Sequence, residues 1–308
     1  MRWRPSRSIE VEDRRGAGGL GGGLGGLRMG RLGGGGIPIP VGGGIGGIVL
    51  FVIIIVVLNL LGGSGSLSGP LGGLGGEQGG GGGAIASLDP SDNQGQFVNT
   101  VTVDVQTFWA DRFEATGREY PETVTVLFTD ATQSGCGVAS SSTGPFYCPS
   151  DQKVYLDTAF FDELSNRFGA PGDFAQAYVI AHEFGHHVQD ALGIMESVAS
   201  QQQSNPSSAN DLSIRLELQA DCLAGVWAHS VWTTPDQSDV ESITQDDVRE
   251  AMNAAGAVGD DRIQEQATGT IDKETWTHGS AEQRTTWFTR GFNGGTTQDC
   301  DTFAAATP

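Results

Sequence analysis

The 308-residue chain carries 37 acidic against 17 basic side chains, a formal charge of −20, and 48 of its residues are glycine. Such acidity excludes a general nucleic-acid binder, because a phosphate backbone is held by a basic surface. The glycines crowd toward the N-terminus, where they remove length from any packed core and leave roughly 200 residues for one globular domain.

In chain order, residues 1–44 read as a Gly-rich basic segment with seven arginines and three acids. Residues 45–61, ending Ile-Val-Leu-Phe-Val-Ile-Ile-Ile-Val-Val-Leu-Asn-Leu-Leu, carry no charge. With the flanking glycines and Val41 the uncharged run reaches about 20 residues, enough for one transmembrane helix. A buried strand is the alternative reading, but a run between two glycine tracts has no sheet to join. A cleaved signal peptide fits less well, because the run starts late and no small-residue cleavage site closely follows a short core. Residues 62–95 form a Gly-rich linker, too poor in apolar surface to offset the entropy of ordering. Positive flanks stay cytoplasmic. The expected topology is therefore a single-pass inner-membrane protein, N-terminus cytoplasmic and residues 96–303 outside, with a tail at 304–308.

Within residues 96–303, helical spacing covers Val101 to Phe113, and β-branched alternation marks strands at Thr123–Phe128 and Lys153–Asp157. Longer helices follow at Asp173–Leu192, Asp211–Trp232 and Gln245–Val258, the last opened by Thr244 and Asp247 in capping-box positions, and a final one at Ala281–Phe292. A small sheet followed by helices predicts an α+β domain. All four cysteines fall in this region, where an extracytoplasmic setting favours disulfides. Cys136 and Cys148 bracket a Gly/Ser/Pro loop and are expected to close it, leaving Cys222 to Cys300; no pair has the two-residue spacing of a zinc knuckle.

His182-Glu183-Phe-Gly-His186 places H-E-x-x-H inside an amphipathic helix. At 3.6 residues per turn both imidazoles project from one face and reach a single metal ion, while Glu183 reaches a metal-bound water without binding the metal. A polar helix face without chemistry is the alternative, but Val179, Ile180, Phe184 and Val188 supply the apolar stripe of a buried helix. Catalytic zinc needs a third protein ligand. Glu217 on the next helix is the candidate, and Asp221, one turn on, is placed to accept the other ring N–H of a zinc-bound histidine.

These segments, with Met1-Arg-Trp, Val11-Glu-Asp-Arg-Arg-Gly16 and Gly144 to Asp157, resemble the neutral zinc metallopeptidases, a family of bacterial single-pass membrane proteins. The resemblance implies a zincin-like fold of the Glu-ligand type. His278, in Thr277-His-Gly-Ser-Ala-Glu-Gln-Arg284, resembles a segment of some membrane zinc peptidases where His and Arg sit near substrate. It is a second candidate catalytic residue, able to donate to an oxyanion. Tyr155 and Tyr178 are weaker candidates for that task; His187 reads as a core or supporting residue and His229 as facing a groove or solvent.

The reading is thus a membrane-anchored peptidase with one Zn2+ per chain, a peptide or protein substrate, and the bilayer as partner through residues 45–61. A peptide is expected to add to Lys153–Asp157 as an edge strand. The alternative is an inactive, zinc-stabilised binding or scaffold protein of the cell envelope.

Overall fold

The protein is described here from a computed structural model, which places residues 1–16, 88–234 and 239–308. The expected membrane helix at 45–61 lies outside these residues, as does most of the linker. Among the described residues no helix is long and apolar enough to cross a membrane.

β1 (Val11–Asp13) pairs parallel with β2 (Thr125–Phe128), and β2 pairs parallel with β6 (Lys153–Asp157). β6 in turn pairs antiparallel with β5 (Phe146–Cys148), giving the order β1-β2-β6-β5. Every residue of β2 is buried, as a strand covered on both faces requires. A hairpin of β3 (Ala131–Ser134) and β4 (Gly137–Ser140) stands beside the sheet. The Cys136–Cys148 disulfide fastens it to β5.

The helices are α1 (Asn93–Ala115), α2 (Thr158–Asn166), α3 (Asp173–Ala191), α4 (Ile194–Ser204), α5 (Ala209–Thr233), α6 (Gln245–Ala257), α7 (Asp260–Thr268) and α8 (Ala281–Gly294). The domain is α+β, as expected. α3 lies at its centre, packed against α1, α5 and α6, and is buried almost throughout from Phe174 to Gln189. α6 opens with the expected capping box, Thr244 and Asp247 bonding each other's backbone N–H. α5 and α8 approach so closely that a Cβ on Gly291 would lie 2.0 Å from the Cys222 carbonyl oxygen. Cys222 of α5 is disulfide-bonded to Cys300, so both expected pairings are present.

Two expectations are corrected. Lys153–Asp157 is interior, flanked by β2 and β5, and the edge strand on that side is Phe146–Cys148. Three residues with no alternation gave the edge strand no readable period. The domain also does not begin at residue 96: α1 starts at Asn93, and residues 1–16 belong to the fold. Val11 is fully buried in β1, Trp3 packs edge-on against Phe97 at 5.6 Å, and the Met1 amino group bonds Asp173 (2.9 Å) and Asp247 (2.7 Å). Likewise the last residues are tied down, Arg215 donating to the Ala305 carbonyl and Gln283 to that of Pro308.

Carboxylates hold β1 in place. Glu12 pairs with Arg14 (2.8 Å) and Lys153 (2.9 Å), Asp13 with Arg15 (2.6 Å), and Asp92 with Arg15. The Arg14 bond holds the Glu12 pKa below its usual value and the Arg15 bond does so for Asp13; at Asp92, burial opposes but Arg15 prevails. A lowered folded-state pKa contributes stability that is present above the unfolded value of about 4 and is lost as pH falls through the folded one. Thermal melts are therefore expected to show the domain weakening below about pH 4, with Val11→Ala costing about 2 kcal/mol at neutral pH.

Candidate metal centre

Ile180, Phe184 and Val188, all fully buried, fix the rotation of α3, and the same rotation turns His182, Glu183 and His186 toward a cleft beside α5. Between the two histidines sits Gly185, where an added Cβ would meet the Ala220 Cα and carbonyl at 3.0 Å. That close approach brings Glu217, one turn before Asp221 on α5, to the imidazoles. Its Oε2 lies 3.2 Å from His182 Nε2 and its Oε1 3.5 Å from His186 Nε2. One donor atom from each of the three lies within 4.8 Å of the others.

Hydrogen bonds behind the rings decide which nitrogen faces the cleft. The buried Asp221 carboxylate can only accept, so His182 Nδ1, 2.9 Å away, carries a hydrogen. Gln189 donates its amide N–H to Leu216 O (2.7 Å) and Gln219 Oε1 (3.1 Å), which fixes its oxygen toward His186 Nδ1 at 2.9 Å. Both rings therefore turn Nε2 toward Glu217 and, in the neutral form, offer its lone pair there, the donor set of two imidazoles and a carboxylate that suits catalytic zinc.

Asp221 is itself held by other donors. Arg284 of α8 reaches it through Nε (2.9 Å) and a terminal nitrogen (3.0 Å), and the Tyr178 hydroxyl donates to the same oxygen as His182. Burial opposes the Asp221 charge, yet Arg284 and then His182 hold its pKa below normal. Burial also opposes a charge on His182, but Asp221 and then Glu217 outweigh it and push the metal-free ring up to about 10. Glu183, by contrast, has its pKa raised by burial despite both histidines.

The remaining candidates separate. His278 lines the cleft, with Nδ1 3.4 Å from Asp260 and 3.1 Å from the Thr277 hydroxyl. Tyr178 also lines it, but its hydroxyl is committed to Asp221 and Arg284. Tyr155 is turned elsewhere, donating to Asp151 (2.6 Å), and does not line the cleft. His187 is fully buried between Pro121 O (2.6 Å) and Tyr147 (3.1 Å). His229 is half-buried and donates to Phe292 O at 2.6 Å. The sequence reading assigned no role to Gln189, and placed Arg284 only near substrate by resemblance, not as the partner of Asp221. The i, i+3 spacing of His186 and Gln189 was a usable signal for the first; Arg284 lies 63 residues from Asp221, with no local signal joining them.

H-E-x-x-H on α3 and Glu217 on α5 meet at one open cleft, the pattern of a metallopeptidase-type centre. The chain belongs to the family described as "Putative neutral zinc metallopeptidase", whose profile matches residues 1–303. It is 40% identical over 310 residues to "Uncharacterized protein YpfJ" of Escherichia coli K12, covering 98% of this chain and 99% of that one. It is 49% identical over 185 residues to "Uncharacterized protein Rv2575" of Mycobacterium tuberculosis H37Rv, covering 58% of this chain and 62% of that one. No solved structure matches. The family implies zinc, and the donor set and its fixed tautomers fit that ion.

Replacing His182, His186 or Glu217 by Ala is expected to lower zinc well below one equivalent, measured by elemental analysis; full retention in Glu217→Ala would remove it from the set. Arg284→Met leaves Asp221 buried without its strongest partner. Chelator competition should then show zinc held 10- to 100-fold more weakly, on the order seen when such supporting groups are lost.

Proposed function

We propose that the protein is a zinc-dependent endopeptidase. The observation that carries this reading is the placement of Glu183, buried in the cleft between the two histidines that face Glu217. His182, His186 and Glu217 hold one zinc per chain. When bound, the metal supplies Lewis-acid polarisation of a carbonyl and a lowered pKa for a water molecule. Glu183 takes a proton from the attacking water on its carboxylate and returns it to the leaving amine nitrogen, a task that its raised pKa suits. His278, oriented through Nδ1 by Asp260, donates from Nε2 to the developing oxyanion. A scaffold reading leaves Glu183 buried at a desolvation cost with nothing to do.

The cleft supports cleavage within a chain. Its cavity, about 210 Å³, is walled by Phe146, Phe160, Phe168, Val179, Met195 and Val198, which suits a bulky apolar side chain next to the scissile bond. An exopeptidase needs a charge to hold a substrate terminus, but, Glu183 and the metal set aside, the charged residues of the wall already have partners. Arg284 is paired with Asp221, His278 with Asp260, and Glu163 with Arg167. β5, an edge strand whose Phe146 and Tyr147 line the cleft, offers backbone groups to an extended peptide. Contact with a lipid bilayer through the apolar run at 45–61 is part of the same proposal.

The test is cleavage of internally quenched peptides with blocked termini. Glu183→Gln should keep its zinc and lose at least about 10²-fold in kcat. His278→Gln should also keep zinc and lose about 10²-fold. Activity confined to peptides with free termini would contradict the endopeptidase reading, and a fully active Glu183→Gln would contradict the mechanism.

A further inference from the structure

The described chain breaks off after Gly16 and resumes at Leu88, and the two ends belong to one corner of the domain. The Arg15 guanidinium, one residue before the break, pairs with Asp13 at 2.6 Å and with Asp92, four residues after it. The segment before the break is built into the fold along its length. Val11, Glu12 and Asp13 are in parallel register with Thr125, Val126 and Leu127. The strand is extended at both ends by Thr125 N–H to Glu10 O (3.1 Å) and Arg14 N–H to Leu127 O (2.8 Å). On α1, Asn99 donates to Ser8 O (2.8 Å) and accepts from Glu10 N–H (2.9 Å). Arg2 exchanges backbone bonds with Ser242 at 2.9 and 3.3 Å. The family match likewise runs from residue 1.

These contacts bear on how the protein meets a membrane. One crossing between residues 45 and 61 would separate β1 from β2 by a hydrocarbon layer about 30 Å thick. Backbone partners in a sheet must come within about 3 Å. The two arrangements cannot coexist in one molecule, and the sheet is the one with structural support.

We propose that residues 1–16 and the metal-binding domain lie on the same side of the membrane. The described chain then leaves and re-enters the domain at the Arg15–Asp92 corner. This replaces the opposed orientation expected from the arginine count. The two disulfides put the shared side in an oxidising, extracytoplasmic compartment. The balance of arginines before the run is therefore not a record of topology: Arg14 and Arg15 are committed to Glu12, Asp13 and Asp92.

The test uses the full-length chain with a protease recognition site inserted either after residue 20 or after residue 84. Spheroplasts of an expressing bacterium are treated from outside, then after lysis, where both sites must cut. Cleavage of both sites from outside is the expected result. Protection of both until lysis keeps the two segments on one side but overturns the extracytoplasmic placement. Cleavage from outside after residue 84 alone, with residue 20 protected, overturns the proposal. As an independent arm, Val11→Asp in the full chain should lower the melting temperature by several degrees, and an unchanged melt would mean that β1 is not part of the working fold.

Discussion

A single buried carboxylate organises this molecule. Asp221 is fully shielded from water, and a lone charge there would be strongly destabilising. It is tolerated because Arg284, Tyr178 and His182 all donate to it, joining α8, α3 and α5 through one group. Packing serves that junction: Gly291 lets α8 lie against α5, and Gly185 lets α5 lie against α3. The Cys222–Cys300 disulfide secures the residue that follows Asp221. What the junction delivers is the orientation of His182, with Nε2 toward Glu217 and the Nδ1 hydrogen turned to Asp221. The same logic recurs at His186 with an uncharged partner, Gln189, so only one of the two supporting groups requires a buried counter-cation.

Much of this was legible in the sequence, for reasons that differ by residue. H-E-x-x-H and Glu-x-x-x-Asp are local patterns: helix geometry alone sets where their side chains point. The capping box of α6 carries an equally local signal, and the structure has α3, α5, α6 and α8 within two residues of the expected bounds, whereas α1 starts eight residues before the expected Val101. Arg284 was invisible as a partner of Asp221 because their meeting depends on how α8 crosses α5. β1 was hidden for another reason. Three residues carry no period, and the glycine tract that follows drew the whole N-terminal region into one compositional class. Val11-Glu-Asp-Arg-Arg was noticed as part of a resemblance, but its physical role as a strand with its own ion pairs appears only with β2 and α1 in place. The interior position of β6 likewise depends on β5, too short to announce itself.

The sheet and the metal helix are thus linked in an unusual order along the chain. The first strand comes from before the glycine tracts, the rest from after them, and both disulfides lie in the later part, one stapling the strand that borders the cleft and the other the helix that supplies Glu217. The acidic character of the domain does not enter the cleft as free charge; Glu183 and the metal set aside, the charged side chains there are spent on structure. That leaves a mostly apolar trough with Glu183 beside the metal set.

The central claim, that the fold arranges His182, His186 and Glu217 to hold zinc, is tested most directly by zinc K-edge X-ray absorption on the purified full-length protein. The account predicts about one zinc per chain in a shell of nitrogen and oxygen neighbours at about 2.0–2.1 Å, with the outer-shell scattering of two imidazoles. Sulfur neighbours at about 2.3 Å, or a protein that binds no zinc with all three residues intact, would contradict it.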